Sequence, residues 1–456
     1  MELFAPSLMT PDGWRSNCVI RIDEGWIVGV DAADYPPNGA QKAAGPVLPG
    51  MPNLHSHAFQ RAMAGLTERW GSPTDSFWSW RDLMYRFVAR VTPDDIRAIA
   101  VQLYIECLKQ GYTAVAEFHY LHNQPGGAAY DDPAETSLQI LAAAREAGIG
   151  LTHLPVLYAL GGFGSHPLGE AQARFRTGPD DILKIAAAVR SEARGNADVT
   201  VGAAPHSLRA ADPAMVTDLA QGLRQADPAA PLHIHIAEQV KEVEDCLAWC
   251  GKRPVELLAD TQDLDDGWCL VHATHLTDGE TRAIAESGAV AGLCPTTEAN
   301  LGDGLFPLVP YREAKGAFGI GSDSHVCRDP AEELRLLEYG QRLTRRSRNV
   351  AASELDPSTG GSLWRAAVAG GAKACGRPIA GIAAGQRADL VVLNGKHPDL
   401  TGRTGDAVAD TLIFSGGKSF VRDVMVGGNW AIREGRHARE EQAEAQFRAT
   451  LMHLLA

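Results

Sequence analysis

The sequence changes from apolar to polar at the end of the stretch Pro49-Gly50-Met51-Pro52-Asn53-Leu54-His55-Ser56-His57. In an extended chain alternate side chains point to the same face, so His55 and His57 share one face. Two imidazoles on one face at a strand end can bind a divalent metal. Two hydrogen-bonded polar residues at the mouth of a barrel would give the same pattern, so this motif alone leaves both interpretations open.

Outward from this stretch, short β-rich apolar runs alternate with helical segments rich in Ala, Leu and Glu. We predict core strands at 47–54, 112–118, 149–157, 199–204, 232–237, 268–273, 290–294 and 318–322. Strands that alternate with helices predict parallel βα units. Eight such strands are the number that closes a TIM-like (β/α)₈ barrel. We therefore expect an α/β protein with a metal-dependent barrel over residues 47–380.

Both ends of the chain have a different pattern, in which short alternating runs are separated by turn residues. This pattern favours antiparallel strands with tight turns. Neither end is long enough to form a core alone, so we expect residues 1–46 and 381–436 to build one small β-sandwich domain together. Residues 437–456 are predicted to form a C-terminal helix.

A second histidine motif ends the fifth predicted strand and reads His233-Ile234-His235-Ile236-Ala237-Glu238. The isoleucines fall on one face and the histidines on the other, so the histidines are expected to point into the barrel. His235 lies nearer the carboxyl rim and is the candidate metal ligand, whereas His233 is interpreted as a core histidine one layer below. Glu238 follows just past the strand end.

Polar residues also end the sixth and eighth predicted strands, namely His272 and Asp323. Catalytic residues of such barrels lie at the carboxyl ends of the strands. Strand ends one, five, six and eight therefore bring together the side chains of His55, His57, His235, His272 and Asp323. This convergence makes a metal-dependent catalytic site more plausible than any single motif does.

The amino-acid composition argues against several classes of binding partner. The chain has 42 Lys and Arg against 56 Asp and Glu, a formal net charge of −14, which argues against a general nucleic-acid or anionic-membrane binder. No uninterrupted apolar stretch is long enough to cross a bilayer. The 8 cysteines follow no disulfide-framework spacing, and no secretory leader is recognisable, so we expect a cytoplasmic enzyme.

At these residues the sequence resembles the amidohydrolase superfamily. The resemblance rests on 49–57, His235 to Glu238, His272, the segment Gly321-Ser322-Asp323-Ser324, and the tail 381–393. The two-metal branch of that superfamily has a carboxylated lysine at the end of strand four, where this chain has Ala203-Ala204-Pro205-His206. The chain is therefore most similar to the aminohydrolase branch that uses one metal.

The resemblance implies roles for these residues. His55, His57, His235 and Asp323 are implied to hold one Zn²⁺ per subunit, and Fe²⁺ is the alternative metal for such a set of nitrogens and carboxylate. Glu238, His272 and Asp323 are implied to be the catalytic residues, with Asp323 as general base. The resemblance also suggests a homodimer.

Residues 55–66 and 204–209 resemble segments of enzymes that hydrolyse N-formimino-L-glutamate to N-formyl-L-glutamate and ammonia in histidine degradation. That implies a small anionic substrate with two carboxylates and a formimino group. Carboxylates are bound well by arginine and by short hydrogen-bond donors. The candidate substrate-binding residues that could reach the barrel mouth are Gln60, Arg81, Tyr120, His206 and Arg209.

Two other functions stay open. A metal-dependent aminohydrolase of a purine, pyrimidine or related heterocycle would use the same metal and acid–base groups, and a non-catalytic barrel scaffold would keep the fold without the metal. The connection after strand one is aromatic, and it either covers the site or packs on a small core of its own. Its aromatic residues are Trp70, Phe77, Trp78, Trp80, Tyr85 and Phe87.

Overall fold

The computed structural model describes residues 1–68, 77–416 and 420–456, and of residues 77–79 and 82 it describes only the backbone. Its strands are β1 (Glu2–Thr10), β2 (Gly13–Asp23), β3 (Trp26–Ala32), β4 (Gln41–Lys42), β5 (Val47–Pro49), β6 (Met51–Ser56), β7 (Tyr112–His119), β8 (Gly150–Leu157), β9 (Val199–Val201), β10 (Ala204–Pro205), β11 (Leu232–Ile236), β12 (Trp268–His272), β13 (Val290–Leu293), β14 (Ala317–Ile320), β15 (Leu390–Leu393), β16 (Val421–Val426), β17 (Asn429–Arg433) and β18 (Arg436–His437). Its α-helices are α1 (Phe77–Val88), α2 (Pro93–Gln110), α3 (Glu135–Ala147), α4 (Pro179–Glu192), α5 (Pro213–Ala226), α6 (Val240–Cys250), α7 (Pro254–Thr261), α8 (Asp278–Ser287), α9 (Pro295–Leu301), α10 (Leu308–Glu313), α11 (Pro330–Arg345), α12 (Thr359–Ala374), α13 (Asp406–Phe414) and α14 (Glu440–Leu455).

The central strands are parallel and form two sheets. One sheet has the order β6, β7, β8, with β9 and β10 both paired to β8, and the other has the order β11, β12, β13, β14. Isolated parallel bridges join the two sheets at both sides, Ala203 with Leu232 and Ser56 with Asp323. The predicted mixed α/β class is confirmed.

Burial explains why these strands appear in the sequence as nearly continuous apolar runs. Every residue of β7 and β8 is buried, as expected for parallel strands covered by helices on one face and packed side chains on the other. The register of β11 and β12 pairs Ile236 with His272, so the carboxyl ends of these two strands lie side by side. The polar residues that follow each strand therefore meet at one rim.

Two of the predicted strands are wrong as single strands. The predicted strand 47–54 divides at Gly50, where a Cβ would lie only 2.3 Å from the Oγ1 of Thr113, and β5 and β6 enter different sheets. The predicted strand 199–204 divides at Gly202, where a Cβ would lie 2.2 Å from the Pro231 carbonyl oxygen. In both cases the residues on the two sides of the break are buried, apart from the half-buried Val199 and Thr200, so the apolar pattern continues across it.

The strands of both chain ends pair into one sheet of nine strands. Its order is β18, β17, β16, β15, β5, β1, β2, β3, with β4 paired to β1. The antiparallel pairing of β5 with β15 joins the amino-terminal strands to the carboxyl-terminal ones. The second layer that a sandwich requires, and the domain boundaries at 46, 380 and 436, stay predictions.

The helices begin and end at local signals. Thr92 caps α2 by accepting a hydrogen bond from the Asp95 amide, and Pro93 occupies the first turn. Gly111 ends the helix in the left-handed region at φ 100° and leads straight into β7. None of the helices in the described ranges is long and apolar enough to cross a membrane.

Candidate active site

Three predicted ligands meet at the rim of the parallel strands. The Nε2 atom of His55 lies 3.1 Å from the Nε2 of His57 and 3.0 Å from the Nε2 of His235. All three side chains are buried. The end of β6 supplies two of the nitrogens and β11 supplies the third, as the face alternation of each strand predicts.

The hydrogen bonds of these rings test whether a metal fits. His57 Nδ1 donates to the Phe118 carbonyl at 2.9 Å and His235 Nδ1 donates to the His206 carbonyl at 3.0 Å, so in both neutral rings Nε2 carries a lone pair. Burial lowers the pKa of His57 to about 3 and lowers the pKa of His55 and of His235 well below their usual range, so the rings are uncharged. One proton on His55 Nε2 could satisfy only one of its two neighbours. A cation shared by all three nitrogens satisfies them together.

Asp323, which follows β14, lies beside two of these three rings. Its Oδ1 lies 3.3 Å from His57 Nε2 and 3.6 Å from His55 Nε2. The residue has a left-handed backbone with φ 44°, which aims its carboxylate back over the rim. Burial raises the pKa of Asp323 to about 7.

His272 has a different electrostatic environment. Its Nδ1 donates to Glu298 Oε1 at 3.4 Å, and its Nε2 lies 3.8 Å from Glu238 Oε1 and 3.8 Å from Asp323 Oδ2. Burial opposes the charged form, but Glu238, Glu298 and Asp323 outweigh it and raise the pKa of His272 to about 10. A cationic donor therefore faces the carboxylates of Glu238 and Asp323.

Glu238 lies between His272 and a buried arginine. Its Oε2 is 4.0 Å from the Nη2 of Arg209, which follows β10. Glu242, on the first turn of α6, is fully buried and accepts hydrogen bonds from the amides of Ala237 and Glu238, both at 3.1 Å. The backbone that carries Glu238 is therefore fixed from the side of α6.

A buried polar network joins the first and last parallel strands behind the three histidines. Asn53 Nδ2 donates to Ser322 Oγ at 2.6 Å, and the Ser322 amide donates back to Asn53 Oδ1 at 3.0 Å. His325 contacts Ser322 Oγ through Nδ1 at 2.9 Å and Ser56 Oγ through Nε2 at 3.3 Å. Ser56 in turn donates to Glu117 at 2.6 Å. This network holds β6 and β14, the strands of three predicted metal ligands, against each other.

The five predicted substrate-binding residues all line one cavity with the metal-ligand cluster. Its empty volume is about 560 Å³ and its lining includes Gln60, Arg81, Tyr120, His206 and Arg209. Gln60 Nε2 donates to the Tyr120 hydroxyl at 2.9 Å, which fixes both side chains. The cavity thus combines two guanidinium groups with several neutral donors beside the cluster.

The aromatic connection after strand one contributes to this cavity in part. Trp80 and Tyr85 line the cavity, and both pack with Phe87 against the main core rather than on a small core of their own. Trp70 lies outside the described residues, and the side chains of Phe77 and Trp78 are likewise outside the description.

Other residues of the site were not predicted from the sequence. Glu298 contacts His272 from α9, Glu242 fixes Glu238 from α6, and Tyr158 lines the cavity with its hydroxyl held by Gln172 Nε2 at 2.9 Å. Glu242 lies four residues after Glu238, but Glu238 precedes α6, so no helical spacing pointed to their contact. Glu298 and Tyr158 also lack a local signal. The predicted core histidine His233 contacts the Ala374 carbonyl at 2.8 Å and lies apart from the cluster.

Comparisons with known proteins agree with this geometry. The sequence profile of the amidohydrolase family matches residues 47–431. A formimidoylglutamate deiminase from Pseudomonas aeruginosa is 52% identical over 455 residues, which are 99% of this chain and 99% of that protein. A crystal structure of an amidohydrolase from Brucella melitensis is 46% identical, covers 100% of both chains and has a TM-score of 0.95. An adenosine deaminase from Xanthomonas campestris with bound zinc is 20% identical and shares the fold, with a TM-score of 0.83 over 100% of this chain and 98% of that one.

Proposed function

Because the chain belongs to the amidohydrolase family, we propose that it hydrolyses N-formimino-L-glutamate to N-formyl-L-glutamate and ammonia. The observation that carries this proposal is the 52% identity to a formimidoylglutamate deiminase over nearly the whole of both chains. The cavity supports it, because the guanidinium groups of Arg81 and Arg209 suit a substrate with two carboxylates. The enzyme is then a hydrolase of the C–N bond of a linear amidine.

The proposed cofactor is one Zn²⁺ per subunit, held by His55, His57, His235 and Asp323, with Fe²⁺ as the alternative. The converging Nε2 lone pairs and the adjacent carboxylate support this set. When bound, such a metal acts as a Lewis acid and lowers the pKa of a water from its bulk value toward about 7.

Two side chains of this protein then move protons, and a third stabilises charge. Asp323 accepts one proton from the attacking water as its oxygen forms a bond to the formimino carbon, and Glu238 protonates the terminal nitrogen as the C=N double bond becomes single. Asp323 then passes its proton to the same nitrogen, which leaves as ammonia when the C–N bond breaks. The remaining hydroxyl proton returns to Glu238 as the C=O bond forms. The His272 imidazolium donates a hydrogen bond to the oxygen that gains charge at the tetrahedral carbon. The products balance as N-formyl-L-glutamate and ammonia from one substrate and one water.

Substrate binding is assigned to the remaining predicted residues. Arg209 is assigned to one carboxylate and Arg81 to the other, and Gln60, Tyr120 and His206 supply neutral hydrogen-bonding groups between them and the metal ligands. All five residues line the cavity, which supports the assignment. Burial and the charge of Arg209 lower the pKa of His206 well below its usual range, so His206 is neutral.

The proposal extends to the shape and setting of the protein. We infer that the parallel strands close into a (β/α)₈ barrel, which the bridges at Ala203 and at Ser56 support, and that the terminal sheet folds into a small sandwich. A homodimer, a cytoplasmic location and a place in histidine degradation also belong to the proposal. Sedimentation of the purified protein tests the dimer.

The direct test is ammonia release from N-formimino-L-glutamate by the zinc-loaded protein. Guanine, cytosine and adenosine in the same assay test the heterocycle alternative, and N-formiminoglycine tests the need for the second carboxylate. We expect turnover of N-formimino-L-glutamate far above all of these. No turnover of it would remove the substrate assignment. A protein that retains no transition metal after purification would favour a scaffold.

A further inference from the structure

The buried carboxylate of Glu242 does not line the cavity, but it hydrogen-bonds the backbone that carries the cavity residue Glu238. Its Oε1 accepts the Ala237 amide and its Oε2 accepts the Glu238 amide, each at 3.1 Å. The residue is fully buried and does not line the cavity. A buried carboxylate whose two oxygens accept hydrogen bonds from two consecutive amides fixes that turn of backbone.

The turn that it fixes has an unfavourable backbone. Ala237 has φ 51°, in the left-handed region that a residue with a Cβ seldom adopts. This conformation ends β11 just after His235 and turns the chain so that Glu238 Oε1 comes within 3.8 Å of His272 Nε2. The position of Glu238 therefore depends on a backbone state that needs support from outside the turn.

Glu238 also lies beside Arg209. The guanidinium is only slightly exposed, with its Nη2 4.0 Å from Glu238 Oε2. The turn that Glu242 holds therefore carries a carboxylate that lies between His272 and the arginine that we assign to a substrate carboxylate.

We propose that Glu242 is a positioning residue that couples α6 to proton transfer, because it holds Glu238 through the strained turn at Ala237. The proposal rests on the proposed function for its kinetic consequences, but not for its structural ones. Glu242 acts through Glu238 on the chemical step rather than on binding of the diacid.

The test compares Glu242→Gln with wild type. The side-chain amide keeps the volume, but it presents an N–H to one backbone N–H. We expect kcat to fall by about 10- to 100-fold, the range typical when a supporting hydrogen bond is lost. Binding of N-formyl-L-glutamate, measured by calorimetry on the zinc-loaded protein, should weaken far less than kcat falls. The exposed Glu244→Gln on the same helix is the matched control and should behave as wild type.

A second variant tests the strained turn directly. Adding Ala237→Gly to Glu242→Gln should restore kcat, because glycine adopts the φ of 51° found at Ala237 without strain. A purely structural role would instead lower the melting temperature and leave kcat and binding per folded, zinc-loaded protein at the wild-type values, and that result would overturn the proposal.

A crystal structure of Glu242→Gln gives an answer that does not depend on the substrate. We expect Ala237 to leave the left-handed region and the Glu238–His272 distance to increase. If Ala237 and Glu238 stay in place, the coupling is wrong even when wild type turns over N-formimino-L-glutamate. If they move but wild type shows no turnover, the coupling stands and the proposed function fails. Should Glu242→Gln not fold alone, the double variant with Ala237→Gly supplies the same comparison with Ala237→Gly.

Discussion

The buried histidines of this site differ in charge because their neighbours differ. His57 and His235 each donate Nδ1–H to a carbonyl and face other imidazoles, so burial leaves them neutral. His272 faces three carboxylates, which raise its pKa to about 10 although it too is buried. The surroundings of each ring therefore distinguish the neutral candidate metal ligands from the charged candidate hydrogen-bond donor.

Arg209→Met tests the assigned substrate contact. We expect kcat/KM for N-formimino-L-glutamate to fall by about 10- to 100-fold, because a hydrogen bond to a charged group contributes about 1.5–3 kcal/mol and each 1.4 kcal/mol is tenfold. Steady-state kinetics on the zinc-loaded protein measure it. Arg448→Met, which removes an exposed arginine on α14, is the control. An unchanged kcat/KM would mean that Arg209 binds no substrate carboxylate.

Glu117 should make stability depend on pH. Burial raises its pKa from 4.5 to about 7, although Ala58, Ser56 and Tyr104 donate hydrogen bonds to it. The folded state then binds this proton more tightly than the unfolded state, so its contribution to stability is full below about pH 4.5 and is lost as pH rises to about 7.

Urea denaturation of the metal-free protein between pH 5 and 7.5 (roughly the window of this shift) measures the effect. The free energy of unfolding of wild type should fall with rising pH relative to that of Glu117→Gln, which has no titrating group at this position. Glu244→Gln should show no such pH-dependent difference. A constant difference between wild type and Glu117→Gln would contradict the raised pKa.

The sequence predicted the site residues at the ends of strands better than it predicted the residues that hydrogen-bond to them. Alternation along β6 and β11 is enough to place His55, His57 and His235 on inward faces, because a strand fixes side-chain direction within two residues. Glu298 and Glu117 reach the site across the sequence, from α9 and from the neighbouring strand β7. No local pattern encodes such contacts, since they arise only when the strands are assembled.

Among the secondary-structure elements, the contact of β6 with β14 matters most to the site. The His57 amide donates to the Asp323 carbonyl at 3.2 Å and the Asp323 amide donates to the His55 carbonyl at 3.0 Å. The side chains of Asn53 and Ser322 repeat this exchange one layer below. The geometry of three proposed ligands is therefore set by how the first and last parallel strands meet.

Asn53→Ala removes both of the side-chain hydrogen bonds of this contact. We expect the free energy of unfolding of the metal-free protein to fall by about 1–3 kcal/mol, because the buried Ser322 amide loses its acceptor while Ser322 Oγ keeps only its contact with His325. Zinc affinity should fall by about 10- to 100-fold, as it does when groups that orient ligands are lost. Urea denaturation and competition with a chelator measure the two quantities. The exposed Asn429→Ala is the control, and wild-type zinc affinity in Asn53→Ala would show that the contact does not set the ligands.

The bounds of a strand were predictable where the strand stays in one sheet. They were not predictable where the chain passes directly from one sheet into another. The predicted strands 112–118 and 232–237 differ from β7 and β11 by one residue at an end. The predicted strand 47–54 failed at Gly50, since burial continues from β5 into β6 although their hydrogen-bond partners differ. Apolar periodicity reports burial, and it does not report which sheet buries a residue.

Across the whole protein, one aspartate ties the terminal sheet to the parallel strands. Asp198, just before β9, accepts two hydrogen bonds from Arg387, at 3.0 and 2.9 Å, and lies 3.4 Å from Arg377 Nη2. Both arginines are buried. The two halves of the fold thus share one ion cluster in addition to their apolar contacts.

Asp198→Asn should be strongly destabilising, because it leaves two buried guanidinium groups without their anion. We expect the free energy of unfolding to fall by about 3–5 kcal/mol. Asp31→Asn breaks an exposed pair with Arg21 and should change it by less than about 1 kcal/mol. Urea denaturation of both variants tests the difference. Equal effects would mean that the cluster adds nothing beyond an ordinary surface pair.

The pairing of β5 with β15 also constrains how the protein is made. β5 ends at Pro49 and its antiparallel partner begins at Leu390, so one edge of β5 has no partner until the ribosome has synthesised most of the chain. Such distant pairing forms late and slowly. Nascent chains stalled before β15 would expose an open strand edge beside the first histidines of the site, and chaperones that bind unpaired strands would meet the protein there.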